Sequence, residues 1–410
     1  MTDRAEVVVI GAGQAGLAIS NALTHASREH VVLERGRVGE TWRGWWDGFC
    51  LMSPNWALQL PGYPYAGDDP DGFMGRDEVV RYLERYASRC HAPIRAGVEV
   101  TALEPASATG FLLQTSAGPI AARTVVVSTG AFQRPFRPAV AATVGSGLLQ
   151  VDSGTYRRPA ELPDGAVLIV GSGQSGCQIA EELHEAGRDV WLACGRAPWA
   201  PRRIGGRDAM WWGVEIGFFE ASLSSLPSPA ARLVANVQAT GVGGGHDLHY
   251  RTLQTMGVTL LGRFLGADGQ RARFAPDLAD SVAWGDQVHA QLMNLIRKVA
   301  DERGLPAPDV PEPAPFRGEA RETLDLRGFG AVVFAGGYRP DYASWVRVPG
   351  AFDGLGFPIQ NDGASTVVPG LYFAGVPFLR KRKSSLFLGV GEDAAIIAGH
   401  IARRHAVPAA

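Results

Sequence analysis

The chain has 410 residues, 46% of them hydrophobic, and a formal net charge of −2 at pH 7. That length and apolar fraction allow one large core or two ordinary ones, and two folded units are expected. A charge so near zero offers no bulk attraction for nucleic acid or an anionic membrane, which leaves small molecules as the expected partners and a homo-oligomer as an open option. The four cysteines, Cys50, Cys90, Cys177 and Cys194, form no C-x-x-C pair. This argues against a zinc site or a dithiol centre, so no metal is expected and the thiols read as reduced, in a cytoplasmic protein.

The first apolar run, Val7 to Ile10, ends at Gly11 and follows Asp3, Arg4 and Glu6. It is too short for a membrane span or a secretory segment. It reads instead as a strand entering the turn "GAGQAG", whose Gly11, Gly13, Gln14, Ala15 and Gly16 open a helical pattern. In that context the glycines permit a tight turn, close approach to a pyrophosphate and close helix-on-strand packing, with the helix N-terminus facing the anion. The next strand, "HVVLERG", ends in Glu34 and Arg35, the acid lying eighteen residues past Gly16. A carboxylate there accepts bonds from ribose hydroxyls and repels a 2′-phosphate, so this loop prefers FAD or NAD over NADP.

Residues 41 to 61 carry Trp42, Trp45, Trp46, Asn55 and Gln59. The valines flanking Glu99, Val98 and Val100, are further candidates for the wall of the first nucleotide site. A strand in "RTVVVSTGAFQRP" runs into Thr129 and Gly130.

A second turn, "GSGQSG", repeats the first: Gly171, Ser172, Gly173, Gln174, Ser175 and Gly176 follow the strand "AVLIV". Its following strand, "RDVWLAC", leads to Gly195-Arg196, with no acid at the ribose position. Arginine can fork onto a 2′-phosphate, and Arg202 and Arg203 could join it, so this loop reads as an NADPH site. One loop would hold a flavin and the other would bring its reductant.

A hairpin is expected in "VTLLGRFLGADGQRARFA", a long helix from about Asp286 to Arg303, and an extended linker in "LPAPDVPEPAPF". "GVGGGHD" near Gly243 reads as a mobile loop. The strand in "AVVFAGGYRPD" looks like a crossover matching the one before the second loop. The fold class is therefore α/β, with two Rossmann-like dinucleotide-binding domains: residues 1–160 and 326–410 form a discontinuous FAD domain, and residues 161–325 an inserted NADPH domain. In the last segment Gly375 follows a strand, a helix begins near Gly391, and Asp393 could accept bonds from a ribityl chain. The basic run Arg380 to Lys383 reads as a loop rather than a nucleic-acid patch.

With "ETWRGWWDGFCLMSPNWALQLPG", "STGAFQRP", "FAGGYRPD" and the C-terminal segment added to the two loops, nearly the whole chain resembles the class B flavin-dependent monooxygenases. These include the flavin-containing monooxygenases, the plant indole-pyruvate monooxygenases and their bacterial relatives. The resemblance implies FAD reduced by NADPH, dioxygen added at the flavin C4a, and transfer of oxygen from that (hydro)peroxyflavin to a small organic substrate, at nitrogen or sulfur by preference. It also implies that residues 41 to 61 run beside the flavin, where the tryptophans exclude water and Asn55 and Gln59 offer hydrogen bonds. The alternatives are an NADPH oxidase or reductase, Baeyer–Villiger oxygenation of a ketone, and a non-catalytic redox-sensing flavoprotein. One departure stands out. Where the family fingerprint carries phenylalanine, glycine and histidine, this chain has Ser146, Leu148 and Asp152, with Tyr156 keeping the aromatic place. An aspartate only accepts, whereas a histidine can also donate or titrate. Asp152 is expected either to pair with Arg157 or Arg158 at the domain hinge or to alter peroxide stabilisation.

Overall fold

The computed structural model describes residues 2–106, 110–310, 312–318 and 321–406. Its β-branched runs are strands buried on both faces, the pattern that demands parallel pairing with helices on either side. In the first sheet, Leu371–Phe373, Ile120–Val127, Asp3–Ile10, Val31–Glu34 and Ile94–Ala96 lie side by side and parallel. Val8 is in register with Val31 on one side and Val125 on the other, and all of Val7, Val8 and Val9 are fully buried. Short antiparallel strands complete this nine-stranded sheet: Gln360–Asn361 and Ala364–Ser365 beyond Leu371–Phe373, and the hairpin Val100–Ala106 with Gly110–Thr115, which pairs with the start of Ile120–Val127. The second sheet has five parallel strands in the order Leu149–Asp152, Phe329–Phe334, Ala166–Val170, Val190–Ala193 and Thr259–Leu261. Each sheet sends a central strand through a glycine turn into a twelve-residue helix, Gln14–His25 in the first and Gln174–Glu185 in the second.

Sheet membership differs from the expected boundaries at two strands. Leu149–Asp152 and Phe329–Phe334 pair within the second sheet, although residues up to 160 and from 326 were assigned to the first unit. The reason is the parallel sheet itself, since Phe329–Phe334 fills the place beside Ala166–Val170 and is covered by Leu149–Asp152 on its other side. The crossovers therefore lie just outside these strands, and there Arg134–Pro135 and Tyr338–Arg339 pair as an antiparallel ribbon.

Other expectations are adjusted by packing. The hairpin is Phe264–Asp268 with Arg271–Phe274, extended by Thr323–Asp325, while Thr259–Leu261 belongs to the parallel sheet. The long helix runs Leu278–Glu302 and starts earlier than expected. The proline-rich stretch is held against the second unit: Val310 is buried beside Ile204, Trp212 and Met293, and Arg251 donates to the Ala314 carbonyl at 2.7 Å. Pro311 of that stretch lies outside the described residues. The glycine-rich segment near Gly243 is also anchored. Thr240 is fully buried, and a Cβ on Gly241 would lie 2.1 Å from the Leu51 carbonyl oxygen. Among the described residues, no helix is long and apolar enough to cross a membrane.

Candidate cofactor and active site

The first glycine turn is shaped by three different constraints. Gly11 has φ +104°, and a Cβ there would lie 2.9 Å from the Ser128 carbonyl oxygen. At Gly16 a Cβ would lie 1.8 Å from the Gly11 oxygen, so this glycine lets the helix close onto the turn. At Gly13 a Cβ would meet nothing within 4 Å. That open space at a helix N-terminus is the cradle a pyrophosphate needs. Glu34, 8% exposed, braces the turn: its carboxylate accepts from the Ala12 amide at 2.8 Å and the Gly36 amide at 3.0 Å. Arg35 beside it is exposed. Val98 donates its amide to the Glu34 carbonyl at 2.9 Å, which puts the Val98–Val100 segment, with exposed Glu99, against the ribose end of the site.

Gln14 ties this turn to two distant segments. Its Oε1 accepts from the Trp42 indole at 2.9 Å, and its Nε2 donates to the Ser385 carbonyl at 3.1 Å. Gly375, at φ +71°, lies where a Cβ would be 2.6 Å from that of Ala15. Gly130, at φ +70°, has open space over its α-carbon; its carbonyl accepts from the Tyr342 hydroxyl at 2.7 Å, while Thr129 Oγ1 accepts from Gln133 at 2.9 Å. Gly391, in the first turn of the Val390–Ala406 helix, lets Pro61 approach, since a Cβ would stand 2.9 Å from its ring. Asp393 on the same helix is 2% exposed, and burial raises its pKa. Its Oδ1 faces Arg380 at 3.3 Å, whereas its Oδ2 is buried with no partner. A buried acceptor left over in this way fits an incoming hydroxyl donor. Open cradle, ribose-side acid and orphaned acceptor together fit FAD.

The second turn repeats the geometry. Gly171 has φ +110°, a Cβ on Gly176 would lie 2.0 Å from the Gly171 oxygen, and one on Gly173 would meet only Ala235, at 3.7 Å. Ser172 is held by the Tyr250 hydroxyl at 2.6 Å and accepts from the Gly195 amide at 2.9 Å. Gln174 exchanges hydrogen bonds with both the amide and the carbonyl of Ala239, and Ser175 follows it in the first helical turn. Arg196 stands exposed at the strand end, and among the described residues it has no ion-pair partner. This arrangement fits a dinucleotide carrying a 2′-phosphate.

Arg202 and Arg203 do not join it. Arg202 is 2% exposed, pairs with buried Asp208 at 2.6 Å, donates to the Met52 carbonyl at 2.8 Å and lies 4.3 Å over the Phe73 ring. Arg203 also leans on Asp208, at 3.4 Å. Two acidic contacts had no signature in the sequence, because Asp208 reaches them through a two-residue ribbon, Arg203–Ile204 with Arg207–Asp208.

Residues 41 to 61 divide between the units. Trp42 packs on Phe49 and Phe387 beside the first turn. Trp45 stacks on Phe49, whereas Trp46, 1% exposed, enters the core of the second unit with Tyr156. Asn55 is 6% exposed; its Nδ2 donates to the Asp69 carbonyl at 2.9 Å, and its Oδ1 is buried without a partner. Gln59 is exposed and bonds the Trp56 carbonyl at 3.1 Å, so its side chain caps a local turn. Asp152 takes neither expected partner. Arg137 grips it through two bonds, at 2.7 and 3.0 Å, and lies 4.6 Å over the Phe334 ring. The partner comes from the crossover upstream because Asp152 ends a strand that lies beside Phe334 in register.

No cysteine is set up for thiolate chemistry. Burial pushes the Cys50 thiol up to about 11, and those of Cys90, Cys177 and Cys194 also upward. All four are unpaired. Among the described residues no group of His, Cys, Asp or Glu could hold a metal ion.

The family model for pyridine nucleotide-disulphide oxidoreductases matches residues 8–205. An uncharacterized CzcO-like oxidoreductase of Geobacillus kaustophilus is 31% identical over 391 residues, covering 95% of this chain and 96% of its own. The indole-3-pyruvate monooxygenase YUCCA1 of Oryza sativa subsp. japonica is 28% identical over 180 residues, 43% of this chain and 44% of its own. Among solved structures, a flavin-containing monooxygenase from Stenotrophomonas maltophilia superposes with a TM-score of 0.69 at 19% identity, covering 98% of this chain and all of the other. The chain thus belongs to the CzcO-like oxidoreductases and shares the fold of the flavin-containing monooxygenases.

Proposed function

We propose that this enzyme uses NADPH and dioxygen to oxygenate a small organic substrate at nitrogen or sulfur, one oxygen atom going to the substrate and the other leaving as water. The observation that carries the reading is the pair of open glycine cradles with unlike ends, a bracing acid at Glu34 and an unpaired arginine at Arg196. When bound, NADPH supplies a hydride and FAD the means to activate dioxygen.

The chain's own residues do the rest. Glu34, Gln14 and Asp393 hold the first nucleotide, and Arg196 grips the 2′-phosphate of the second. Trp42, Trp45, Phe49 and Phe387 form an aromatic wall that keeps water from the reacting centre. Asn55 keeps an unused buried acceptor for a donor in the cleft. Asp152 holds Arg137 at the junction and acts as a positioning residue, and Gln59 supports the turn that carries Asn55. The discontinuous FAD unit and inserted NADPH unit meet at the Arg134–Pro135 and Tyr338–Arg339 ribbon, about which we propose that they move. Four unpaired thiols accord with a cytoplasmic enzyme.

The test is rapid mixing without substrate. Anaerobic NADPH should bleach the flavin, and oxygenated buffer should then produce a long-lived, single-band absorbance before the oxidised spectrum returns. Immediate return with release of hydrogen peroxide would favour an NADPH oxidase instead. Failure of NADPH to bleach the flavin would favour a non-catalytic flavoprotein, and turnover of ketones alone would favour Baeyer–Villiger chemistry.

A further inference from the structure

Three of the four cations in Arg380–Lys383 are neutralised within the fold. Arg380 pairs with Asp362 at 2.8 Å and Asp393 at 3.3 Å. Lys381 and Lys383 both pair with Glu220 and Glu392. Arg382 is left over: among the described residues no carboxylate comes within ion-pairing distance, and its Nε is buried without a partner. Its guanidinium lies between two rings, 4.0 Å from the centre of Phe218 and 4.7 Å from that of Phe378.

The location gives this unpaired cation a use. Phe218 belongs to the excursion between Val190–Ala193 and Tyr250–Met256, which leaves the second unit and docks on the first; the Arg382 amide donates to the Ala221 carbonyl there at 2.8 Å. Ser385, three residues further on, receives the bond from Gln14 of the first glycine turn. Arg382 thus stands where the unit carrying the NADPH cradle meets the loop that touches the FAD cradle. A guanidinium confined between rings is still a planar fork of donors, suited to a bidentate carboxylate, and a half-buried cation without a counter-ion is costly until an anion joins it.

We propose that Arg382 anchors a carboxylate of the substrate, so that the enzyme acts on organic acids carrying an oxidisable sulfur or nitrogen a few bonds from the carboxyl group. This rests on the monooxygenase reading above. The opposing account is that Arg382 is only a strut holding Phe218.

The experiment titrates the FAD-loaded enzyme with 3-(methylthio)propanoate and with its neutral amide, following the difference spectrum of the flavin. The acid should bind about tenfold or more tightly than the amide, the scale of hydrogen bonds to a charged group. Arg382→Gln should bring that ratio near one by weakening the acid, and Arg382→Lys should restore part of it. Equal binding of acid and amide by the unaltered enzyme, no binding of either, survival of the preference in Arg382→Gln, or a parallel loss for both probes would each overturn the anchor; the parallel loss would mark a strut. Product is read separately. Absence of sulfoxide under NADPH and air, with the acid preference intact and Arg382-dependent, would overturn the oxygenase reading and leave the anchor standing.

Discussion

Gly13 and Gly16 lie three residues apart, yet a side chain has opposite consequences at the two positions. Over Gly13 there is empty space, so Gly13→Val should fold normally and purify without bound flavin, because its methyls occupy the pyrophosphate cradle. Gly16→Val would drive atoms into the Gly11 carbonyl, and it should yield little folded protein. Circular dichroism together with the ratio of flavin to protein absorbance separates the two, and a flavin-replete Gly13→Val would remove that turn from the FAD site. At the other cradle, Arg196→Ala should raise the KM for NADPH by about 10- to 100-fold, as loss of a charge-assisted bond implies, and leave NADH untouched. Equal losses for both would detach Arg196 from the 2′-phosphate. These residues were legible because glycine spacing and the residue at a strand end act locally. Arg202 was misread for the same reason: its partners, Asp208, Met52 and Phe73, become neighbours only after folding.

At the scale of elements, Tyr250–Met256 shows how a helix end acquires a pH dependence. Its N-cap is His249, whose Nδ1 accepts from the Arg251 amide at 3.2 Å and must be neutral to do so. The ring packs on Trp199 and is faced by Asp247, Arg251, Asp286 and His289, and burial brings its pKa down from an ordinary 6.5 to about 4. Between these values the unfolded chain binds a proton that the folded one refuses, so stability is complete above pH 6.5 and is lost as pH falls toward 4. The Tm should therefore drop across that window. His249→Asn, which can cap but not titrate, should make the fall shallower; an unchanged slope in calorimetry would acquit His249. The long helix beside it starts at Leu278, ahead of the expected Asp286, and runs through Gly285. In the fold a Cβ there would lie 3.0 Å from the Ala197 carbonyl oxygen, so this glycine marks close packing within a helix that continues through it.

Across the whole molecule, the excursion between the second unit's strand and helix far exceeds the ~2–6 residues usual for such a connection. Contacts with the first unit explain it. Arg202 reaches Met52, Glu220 holds Lys381 and Lys383, and Arg232 pairs with Asp353 while lying 3.6 Å over Phe357. Arg202 is itself held by Asp208, in a pair that is almost wholly buried. Arg202→Ala would strand the Asp208 carboxylate and should cost about 3–5 kcal/mol in urea titration. A loss below about 1 kcal/mol, the scale of an exposed pair, would mean that the seam relaxes to let water in.

By itself the sequence determined the two parallel-sheet units, the two cradles and the difference between their ribose ends. Each depends on contacts within a strand, a turn and the helix after it, so residue type and spacing carry the information. Tertiary structure alone decided that Leu149–Asp152 and Phe329–Phe334 complete the second sheet, that Asp152 pairs with Arg137, and that three cations of a basic run are neutralised while Arg382 is not. Strand neighbours in a parallel sheet and partners of buried charges come from distant parts of the chain, where they are chosen by the space and the uncompensated charge that packing leaves.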